Sequence, residues 1–476
     1  MDQIKQSTLE HYEDLLNGGG AAYDRISSLF DAGTFVELGR FVKKTTTGYD
    51  EAPGNEFEGV VTGYGAVDGK LVFSFVQDLS RMKGAMSEAH AKKIVSLYDA
   101  AIKAGAPVIG VYDSAGAKVL EGVSVLSGYG SVMKACASAS GVIPQIAVIA
   151  GTCSGSLAAI AEMADVVIAS ADSKLYVTPP VSLKAQGDKD GGSVREAARS
   201  GAVSLVVNTV DEALAQAKKA VLLFPSNNAE GTAYTENGDT ANRAVTGAGT
   251  PEEIAKEILD AASSIELCAE YAPQTKTFIG SVAGITVGLV AAGGRLSAAG
   301  AEKASKFVSF CDSFNIPVIT LVDCEGTSLD CEAEKAPFSS KLARLAAVYG
   351  SSVNAKVTVI TGKAYGAVFT VLGSKTLGAD VVYALPSSSI SVMPVDAAVE
   401  FIYADEIRSA ADPMAEKAAK EAAWKEICAP INAARNGDID DIVAPEELRM
   451  RIAATLEMLS GKATSAPYKK HGNLPL

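Results

Sequence analysis

The chain has 476 residues, long enough for two or three domains of roughly 150 residues each. It carries 42 basic and 56 acidic residues, and this net charge of −14 excludes the basic surface of a nucleic-acid-binding protein and the polybasic patch of a membrane-surface protein. Seven cysteines without a Cys-x-x-Cys pair exclude a disulfide-rich domain and a zinc ribbon, so the cytoplasm is the expected compartment.

The first predicted element is an amphipathic helix that ends at three consecutive glycines. Its apolar positions are Ile4, Leu9, Tyr12, Leu15 and Leu16. A β-hairpin is predicted over residues 57–76, because Asp68-Gly69 between two apolar runs is typical of a two-residue hairpin turn.

Buried strands then alternate with helices. Residues 107–113, 144–151 and 165–170 are continuous Val/Ile-rich runs, as expected of strands in a sheet that is covered on both faces. Residues 142–160 are long enough to span a bilayer, but polar and glycine residues interrupt them. A strand, a glycine turn and a helix are therefore predicted there, and no membrane span is expected.

The second half of the chain repeats this pattern. Residues 317–323 resemble 107–113, residues 356–362 resemble 144–151, and residues 378–394 resemble 162–179. The corresponding residue pairs are Gly151 and Gly362, Asp165 and Asp380, and Pro179 and Pro394. Ordered matches at a nearly constant offset predict an internal duplication. The polar residues 225–251 are the expected break between the two copies.

Side chains suited to covalent or metal chemistry are few. The three histidines are His11, His90 and His471, so a serine–histidine–aspartate triad would have to use His90. No metal-ligand motif is present, and no metal is expected. Cys153 could be a nucleophile at a helix N-terminus, but close packing of a small residue is the better interpretation.

The sequence instead offers small residues where strands end and helices are predicted to begin. Unpaired backbone N–H groups at such turns can hold a phosphate or the oxyanion of an enolate next to a thioester. One such turn would merely ease the change of direction, but four at matching places in two copies favour a function. The four turns are residues 113–118, 151–156, 324–327 and 362–368.

These segments resemble a known family. The phrases EFEGVVTGYGAVDGK, GAMSEAHAKKIV, VYDSAGAKVLEGV, IAGTCSG and VITGKAYGAVF occur in order, and DDIVAPEELR follows them. Together they are similar to the carboxyltransferase component of biotin-dependent acyl-CoA carboxylases, the group that includes propionyl-CoA carboxylase beta subunits. The resemblance implies an α/β fold of two tandem crotonase-like domains. Residues 1–235 would hold acyl-CoA, and residues 236–476 would face carboxybiotin.

The resemblance also implies the site. One oxyanion turn carries over onto Gly155-Ser156 and the other onto Gly366-Ala367-Val368, where they would stabilise the enolates of the thioester and of biotin. Thr370 replaces an aspartate that the family links to the choice of acyl chain. We also predict that Lys118 is available for the phosphates of CoA, although a solvated lysine in the first turn of a helix is an equally good interpretation of that side chain. The segments expected around CoA are Gly84, Ala85 and Met86, and Ser114, Ala115, Gly116, Ala117 and Lys118.

The expected partners follow from what the sequence lacks. No biotinylation motif and no ATP-binding region of a biotin carboxylase occur, so the biotin carrier protein and the biotin carboxylase should be separate chains. The family's assemblies imply a homo-hexamer, or at least a dimer, in which one subunit's N-terminal domain meets another's C-terminal domain.

Several residues depart from the family's pattern. Ser156 stands where a second glycine is usual, Gly366-Ala367-Val368 replaces Gly-Gly-Ala, and residues 324–334 replace a Pro-Gly turn. Three alternatives stay open. These are the carboxyltransferase subunit of a sodium-pumping acyl-CoA decarboxylase, a non-catalytic acyl-CoA-binding subunit and, with less support, a crotonase-type hydratase or hydrolase.

Overall fold

The computed structural model describes residues 20–43, 57–187, 191–236, 238–329, 331, 334, 337–464 and 473. The helix predicted near the N-terminus lies outside these residues. The chain divides into two compact units, residues 1–229 (unit 1) and 230–476 (unit 2). None of the described helices is long and apolar enough to cross a membrane.

Unit 1 contains a mixed sheet with helices around it. Its described strands are β1 (Val36–Leu38), β2 (Val60–Val67), β3 (Lys70–Gln77), β4 (Val108–Tyr112), β5 (Gln145–Ile149), β6 (Thr152–Ser154), β7 (Val166–Ser170), β8 (Lys174–Tyr176) and β9 (Leu205–Val207). Its described helices are α1 (Ala21–Leu29), α2 (Glu88–Ala104), α3 (Val123–Ala139), α4 (Ser156–Ala161), α5 (Pro180–Ala185), α6 (Val194–Arg199) and α7 (Val210–Leu223).

The strand order of unit 1 is β1-β2-β3-β4-β5-β7-β9, antiparallel from β1 to β3 and parallel thereafter. The predicted hairpin is confirmed: Asp68 and Gly69 both have positive φ between β2 and β3. Every residue of β4, β5 and β7 is buried, as the continuous apolar runs predicted. Strands β6 and β8 form a separate parallel pair.

Unit 2 repeats this arrangement. Its described strands are β10 (Ile265–Leu267), β11 (Thr275–Val282), β12 (Ile285–Leu296), β13 (Val318–Thr327), β14 (Lys356–Tyr365), β15 (Val381–Ala384), β16 (Ser389–Ser391) and β17 (Asp441–Ile442). Its described helices are α8 (Pro251–Ile258), α9 (Ala298–Ser313), α10 (Phe338–Ser351), α11 (Ala367–Val371), α12 (Val395–Ser409), α13 (Pro413–Ile427), α14 (Pro430–Asn436) and α15 (Pro445–Met458). The strand order is β10-β11-β12-β13-β14-β15-β17, and β16 pairs with the end of β14.

The duplication is confirmed at the level of single hydrogen bonds. The Asp165 carboxylate accepts from the Gln145 N–H at the start of β5, at 2.8 Å. The Asp380 carboxylate accepts from the Lys356 N–H at the start of β14, also at 2.8 Å. Pro179 and Pro394 both precede a helix with nearly the same backbone angles. The sequence matches therefore mark equivalent places in the two units.

One predicted turn is wrong. Residues 324–327 continue strand β13, because Gly294 and Leu296 of β12 pair with Cys324 and Thr327. Two of the other turns, residues 151–156 and 362–368, are shorter than predicted. Thr152–Ser154 is strand β6, and strand β14 continues through Tyr365, so each change of direction is confined to one glycine.

Candidate active site

The first candidate turn is built around Gly155. This glycine lies between β6 and α4 with φ 61° and ψ −131°, a conformation that a residue with a Cβ rarely adopts. Its N–H donates to the Tyr176 carbonyl of β8 at 2.8 Å. The next N–H, that of Ser156, has no acceptor among the described residues of unit 1, and Ser156 is exposed.

The second candidate turn has the same geometry. Gly366 lies between β14 and α11 with φ 63° and ψ −136°, and its N–H donates to the Ser391 carbonyl of β16 at 2.9 Å. Ala367 is exposed like Ser156, and its N–H likewise has no acceptor in the described part of unit 2. Val368 is buried, as is Leu157 at the equivalent place.

The hydrogen bond that each turn glycine donates within its own unit reduces the number of N–H groups that can bind a ligand. Because the N–H groups of Gly155 and Gly366 are already bonded within the fold, the groups that a ligand can reach first are those of Ser156 and Ala367. These groups start short helices, where the unpaired N–H groups carry a partial positive charge. A developing negative charge on oxygen is the kind of ligand that such donors stabilise.

The two segments predicted around CoA are brought together. Met86 and Ala117 form a parallel bridge, in which the Met86 N–H donates to the Gly116 carbonyl and the Lys118 N–H to the Met86 carbonyl, both at 2.8 Å. The Ala115 N–H also donates to the Lys83 carbonyl at 2.9 Å. Residues 84–86 and 114–118 therefore form one continuous part of unit 1, in which Ala115 and Ala117 are exposed. Most of the other residues of this part are buried, namely Gly84, Met86, Ser114, Gly116 and Lys118.

The same piece contacts the first turn. The Ser114 N–H donates to the Thr152 carbonyl at 2.8 Å, and the Ser114 hydroxyl donates to the Gly84 carbonyl at 2.7 Å. A Cβ added to Gly116 would lie 3.6 Å from the Ser154 hydroxyl oxygen. Three segments that are far apart in sequence thus meet within unit 1.

The side chain of Lys118 does not fit its predicted role. It is 4% exposed, and its Nζ lies 3.4 Å from Oε1 of Glu121, which is equally buried. Glu121 also accepts from the Glu88 N–H at the start of α2, at 2.8 Å. A lysine enclosed in this way cannot meet a phosphate at the surface, so we withdraw the expectation that Lys118 binds the phosphates of CoA.

Neither His90 nor Cys153 is placed for covalent chemistry. Burial, and then the charge of Lys93, lower the pKa of the fully buried His90 to about 3, so its ring is neutral at physiological pH. Burial raises the pKa of the Cys153 thiol far above its usual range, and the side chain is inaccessible. The interpretation of Cys153 as a packing residue fits this placement.

A charged cleft of about 700 Å³ opens beside the second turn. Lys363 and Glu325 form an ion pair there at 2.5 Å, and their hydrogen bond lowers the pKa of Glu325 and raises that of Lys363. Tyr365, the residue before Gly366, also lines the cleft. No pattern in the sequence indicates this pair, because Glu325 and Lys363 are 38 positions apart.

Thr370 lies outside this cleft, exposed on α11, where its carbonyl accepts from the Ser374 hydroxyl at 3.1 Å. Within the described residues, no group of three or more His, Cys, Asp and Glu side chains could hold a metal ion.

Comparisons with known proteins identify the family. A model described as the carboxyl transferase domain matches residues 15–474. The carboxyltransferase subunit of propionyl-CoA carboxylase from Haloferax mediterranei is 35% identical, with 98% of each chain covered. The alpha subunit of methylmalonyl-CoA decarboxylase from Propionigenium modestum is 34% identical, with 97% of this chain and 94% of that one covered.

A solved structure matches the whole chain. It is the transcarboxylase 12S hexamer with methylmalonyl-coenzyme A and methylmalonic acid bound. The match has a TM-score of 0.92 at 33% identity and covers 100% of this chain and 98% of the other. The predicted α/β fold of two tandem crotonase-like units is thereby confirmed.

Proposed function

The chain belongs to the carboxyl transferase domain family, and on this premise we propose that it moves a carboxyl group between carboxybiotin on a separate carrier protein and the α-carbon of a short acyl-CoA. It is an enzyme of the biotin-dependent acyl-CoA carboxylase class. The observation that carries this conclusion is the family match over residues 15–474, together with relatives of the same length that are named for this chemistry.

The first turn is suited to the thioester. The Ser156 N–H has no acceptor among the described residues of unit 1. A Cβ added to Gly155 would meet no atom within 4 Å, so the space beside the turn is open. Hydrogen bonds to the thioester oxygen would stabilise the charge that develops there when the α-proton leaves. No nucleophilic side chain is needed for this step, which agrees with the burial of Cys153 and His90.

The second turn, Gly366-Ala367-Val368, is suited to a second oxygen acceptor by its equivalent backbone angles. Carboxybiotin, when bound, supplies the carboxyl group. The ureido oxygen of biotin, on which negative charge would develop when the carboxyl group is released, is an acceptor that the Ala367 N–H could stabilise. The cleft beside this turn offers equal numbers of basic and acidic side chains, namely Arg295, Lys363, Lys425, Glu325, Asp396 and Glu421.

We propose the domain limits, the partners and the assembly on the same basis. The domain limits are residues 1–235 on the acyl-CoA side and 236–476 on the carboxybiotin side. The biotin carrier and the biotin carboxylase are separate chains, and the protein forms a homo-hexamer or at least a dimer in the cytoplasm. The exposed side chains of Val119, Val123 and Leu126 next to the CoA segment support an assembly that covers them. Seven free cysteines support a reducing compartment.

The test is a carboxyl-exchange assay with purified protein and free biotin. Malonyl-, methylmalonyl- and glutaconyl-CoA are offered in turn, each labelled in its free carboxyl group, and label on biotin is measured. Transfer from at least one of them supports the proposal. Tight binding of an acyl-CoA with no transfer from any of the three would instead identify a non-catalytic acyl-CoA-binding subunit.

A decarboxylase subunit is the second candidate. The carboxylase and decarboxylase relatives are 35% and 34% identical to this chain, so identity does not choose between them. The transfer step is the same in both and runs in opposite directions. Co-purification of the tagged chain from its own cells separates the candidates: a biotin carboxylase subunit indicates carboxylation, and a membrane decarboxylase subunit indicates the reverse.

A further inference from the structure

A buried aspartate joins the three segments that meet in unit 1. Asp113 follows β4, and its side chain is 6% exposed. One carboxylate oxygen, Oδ1, accepts from the Thr152 N–H at 3.3 Å, in the strand that leads to the first turn. The other, Oδ2, forms an ion pair with Nη2 of Arg25 from α1 at 2.8 Å. Asp113 therefore has a specific partner for each oxygen.

The approach of this carboxylate depends on Gly151. A Cβ added there would lie 1.9 Å from Oδ1 of Asp113, so a larger residue would push the carboxylate away from the turn. Unit 2 has the same arrangement, since a Cβ on Gly362 would lie 2.3 Å from Oδ1 of Asp323. In unit 2, Oδ1 of Asp323 accepts from the Lys363 N–H at 2.7 Å.

This contact occurs in both copies although the neighbouring side chains differ. The N–H donor belongs to a threonine in unit 1 and to a lysine in unit 2. A carboxylate that accepts the N–H immediately after a glycine, three residues before the turn glycine, is therefore a shared feature of the two turns. Because it is a backbone contact, it fixes the path of the strand without depending on which side chain follows.

The backbone of Asp113 is held as firmly as its side chain. Its N–H donates to Oε1 of Gln77 at 3.0 Å, and Nε2 of Gln77 lies 3.4 Å from Nε2 of the buried His90. The next residue, Ser114, contacts both the Thr152 carbonyl and the Gly84 carbonyl. A displacement of Asp113 would thus move the first turn relative to the segment around Gly84.

We propose that Asp113 is a positioning residue, which holds the Ser156 N–H in register with residues 84–86 and 114–117. Asp323 is the equivalent positioning residue of unit 2, where it fixes the strand that leads to the Ala367 N–H. Arg25 fixes the orientation of the Asp113 carboxylate. Neither aspartate touches the reacting atoms. This inference rests on the proposed function, because the register matters only if the turn and these segments hold one substrate.

The test compares Asp113→Ala, Asp113→Asn and Arg25→Met with a matched control, Asp165→Asn. Asp165 also accepts a backbone N–H, that of Gln145, but at the start of β5 rather than at the end that leads to the turn. Exchange into free biotin is measured at varied acyl-CoA to separate kcat from KM, and thermal unfolding is followed in parallel.

A misplacement of catalytic groups by about 1 Å costs about 100-fold, so we expect kcat of Asp113→Ala to fall about 10- to 100-fold. The amide oxygen of Asp113→Asn still accepts from the Thr152 N–H, and loss of the ionic pair alone should cost about 3- to 10-fold, as should Arg25→Met. KM should change less than about threefold in the three variants, because none of them removes an N–H donor of the turn. The control, Asp165→Asn, should keep at least half of the wild-type kcat.

Folded Asp113→Ala protein with the kcat of the wild type would overturn the inference, as would an equal loss in Asp165→Asn or a change confined to KM. If Asp113→Ala does not fold, Asp113→Asn and Arg25→Met are judged by the same criteria. An inactive wild-type protein would refute the proposed function and the positioning role with it. An active wild type with unaffected variants refutes the positioning role alone.

Discussion

Replacement of Gly155 by alanine separates the chemistry of the first turn from the stability of the fold. Gly155 has φ 61° and ψ −131°, and an added Cβ would meet no atom within 4 Å. The cost therefore comes from backbone strain and not from a clash. A residue with a Cβ in this sparsely populated region of positive φ and negative ψ costs about 1–3 kcal/mol. For a unit of this size, that corresponds to a fall in Tm of about 2–12 °C.

The strain would be relieved by rotation of the turn, which moves the Ser156 N–H away from the substrate oxygen. Loss of one oxyanion donor lowers kcat about 100- to 1,000-fold in other enzymes. We therefore expect Gly155→Ala to remain folded and to lose at least about 100-fold in carboxyl exchange. Exchange kinetics and thermal unfolding measure the two effects on the same preparation.

Gly122 provides the matched control. It has φ 59° and ψ −128° with no atom within 4 Å of an added Cβ, so Gly122→Ala carries the same strain at the start of α3. Equal falls in Tm with a loss of kcat only in Gly155→Ala would support the reasoning. Full exchange activity in folded Gly155→Ala, or an equal loss of kcat in Gly122→Ala, would refute it.

The remaining predictions concern protonation, thiol reactivity and assembly. The pKa of His90 is about 3 in the folded protein and 6.5 in the unfolded chain. Between these two pH values the unfolded chain binds more protons than the folded protein, so the free energy of unfolding falls as the pH falls. From pH 6.5 to 5, urea unfolding should show that the wild type loses about 1.6 kcal/mol more than His90→Gln, and equal losses would contradict the assigned burial. Iodoacetamide should label the exposed Cys331 and leave the buried Cys153 and the exchange activity intact, and mass spectrometry of the labelled peptides decides this. If turns from two chains serve one reaction, a mixture of Gly155→Val and Gly366→Val chains, co-refolded, should recover part of the activity, whereas a mixture as inactive as its parents would exclude shared sites.

Local signals in the sequence were sufficient for the strands and for the duplication. The hairpin is predicted by Asp68-Gly69, because this dipeptide favours a two-residue turn. The buried strands are predicted by continuous apolar runs without the alternating polar residues that a solvent-exposed face would require. The equivalence of Asp165 in unit 1 and Asp380 in unit 2 was also predictable, since each aspartate begins a repeated strand motif.

The predictions that were wrong or missing concern contacts between residues that are far apart in the sequence or that depend on how the chain folds around them. Residues 324–327 contain a glycine and looked like a turn, but pairing with β12 keeps them in β13. Lys118 was expected at the surface, available for the phosphates of CoA, yet Glu121 and the start of α2 enclose it. The pair of Arg25 and Asp113 spans 88 positions, and no pattern of spacing predicts such a contact.

The backbone geometry of the two turns also explains why their departures from the family's glycines do not remove the donors. Ser156 and Ala367 are exposed on their own units, and their side chains leave from a helix start whose N–H direction is set by the preceding glycine. What differs between the turns is their surroundings: residues 84–86 and 114–118 lie beside the first, and a charged cleft lies beside the second. If these donors bind oxygen acceptors as proposed, the two turns could serve two different acceptors, because the side chains around the turns differ while the N–H groups within them are alike.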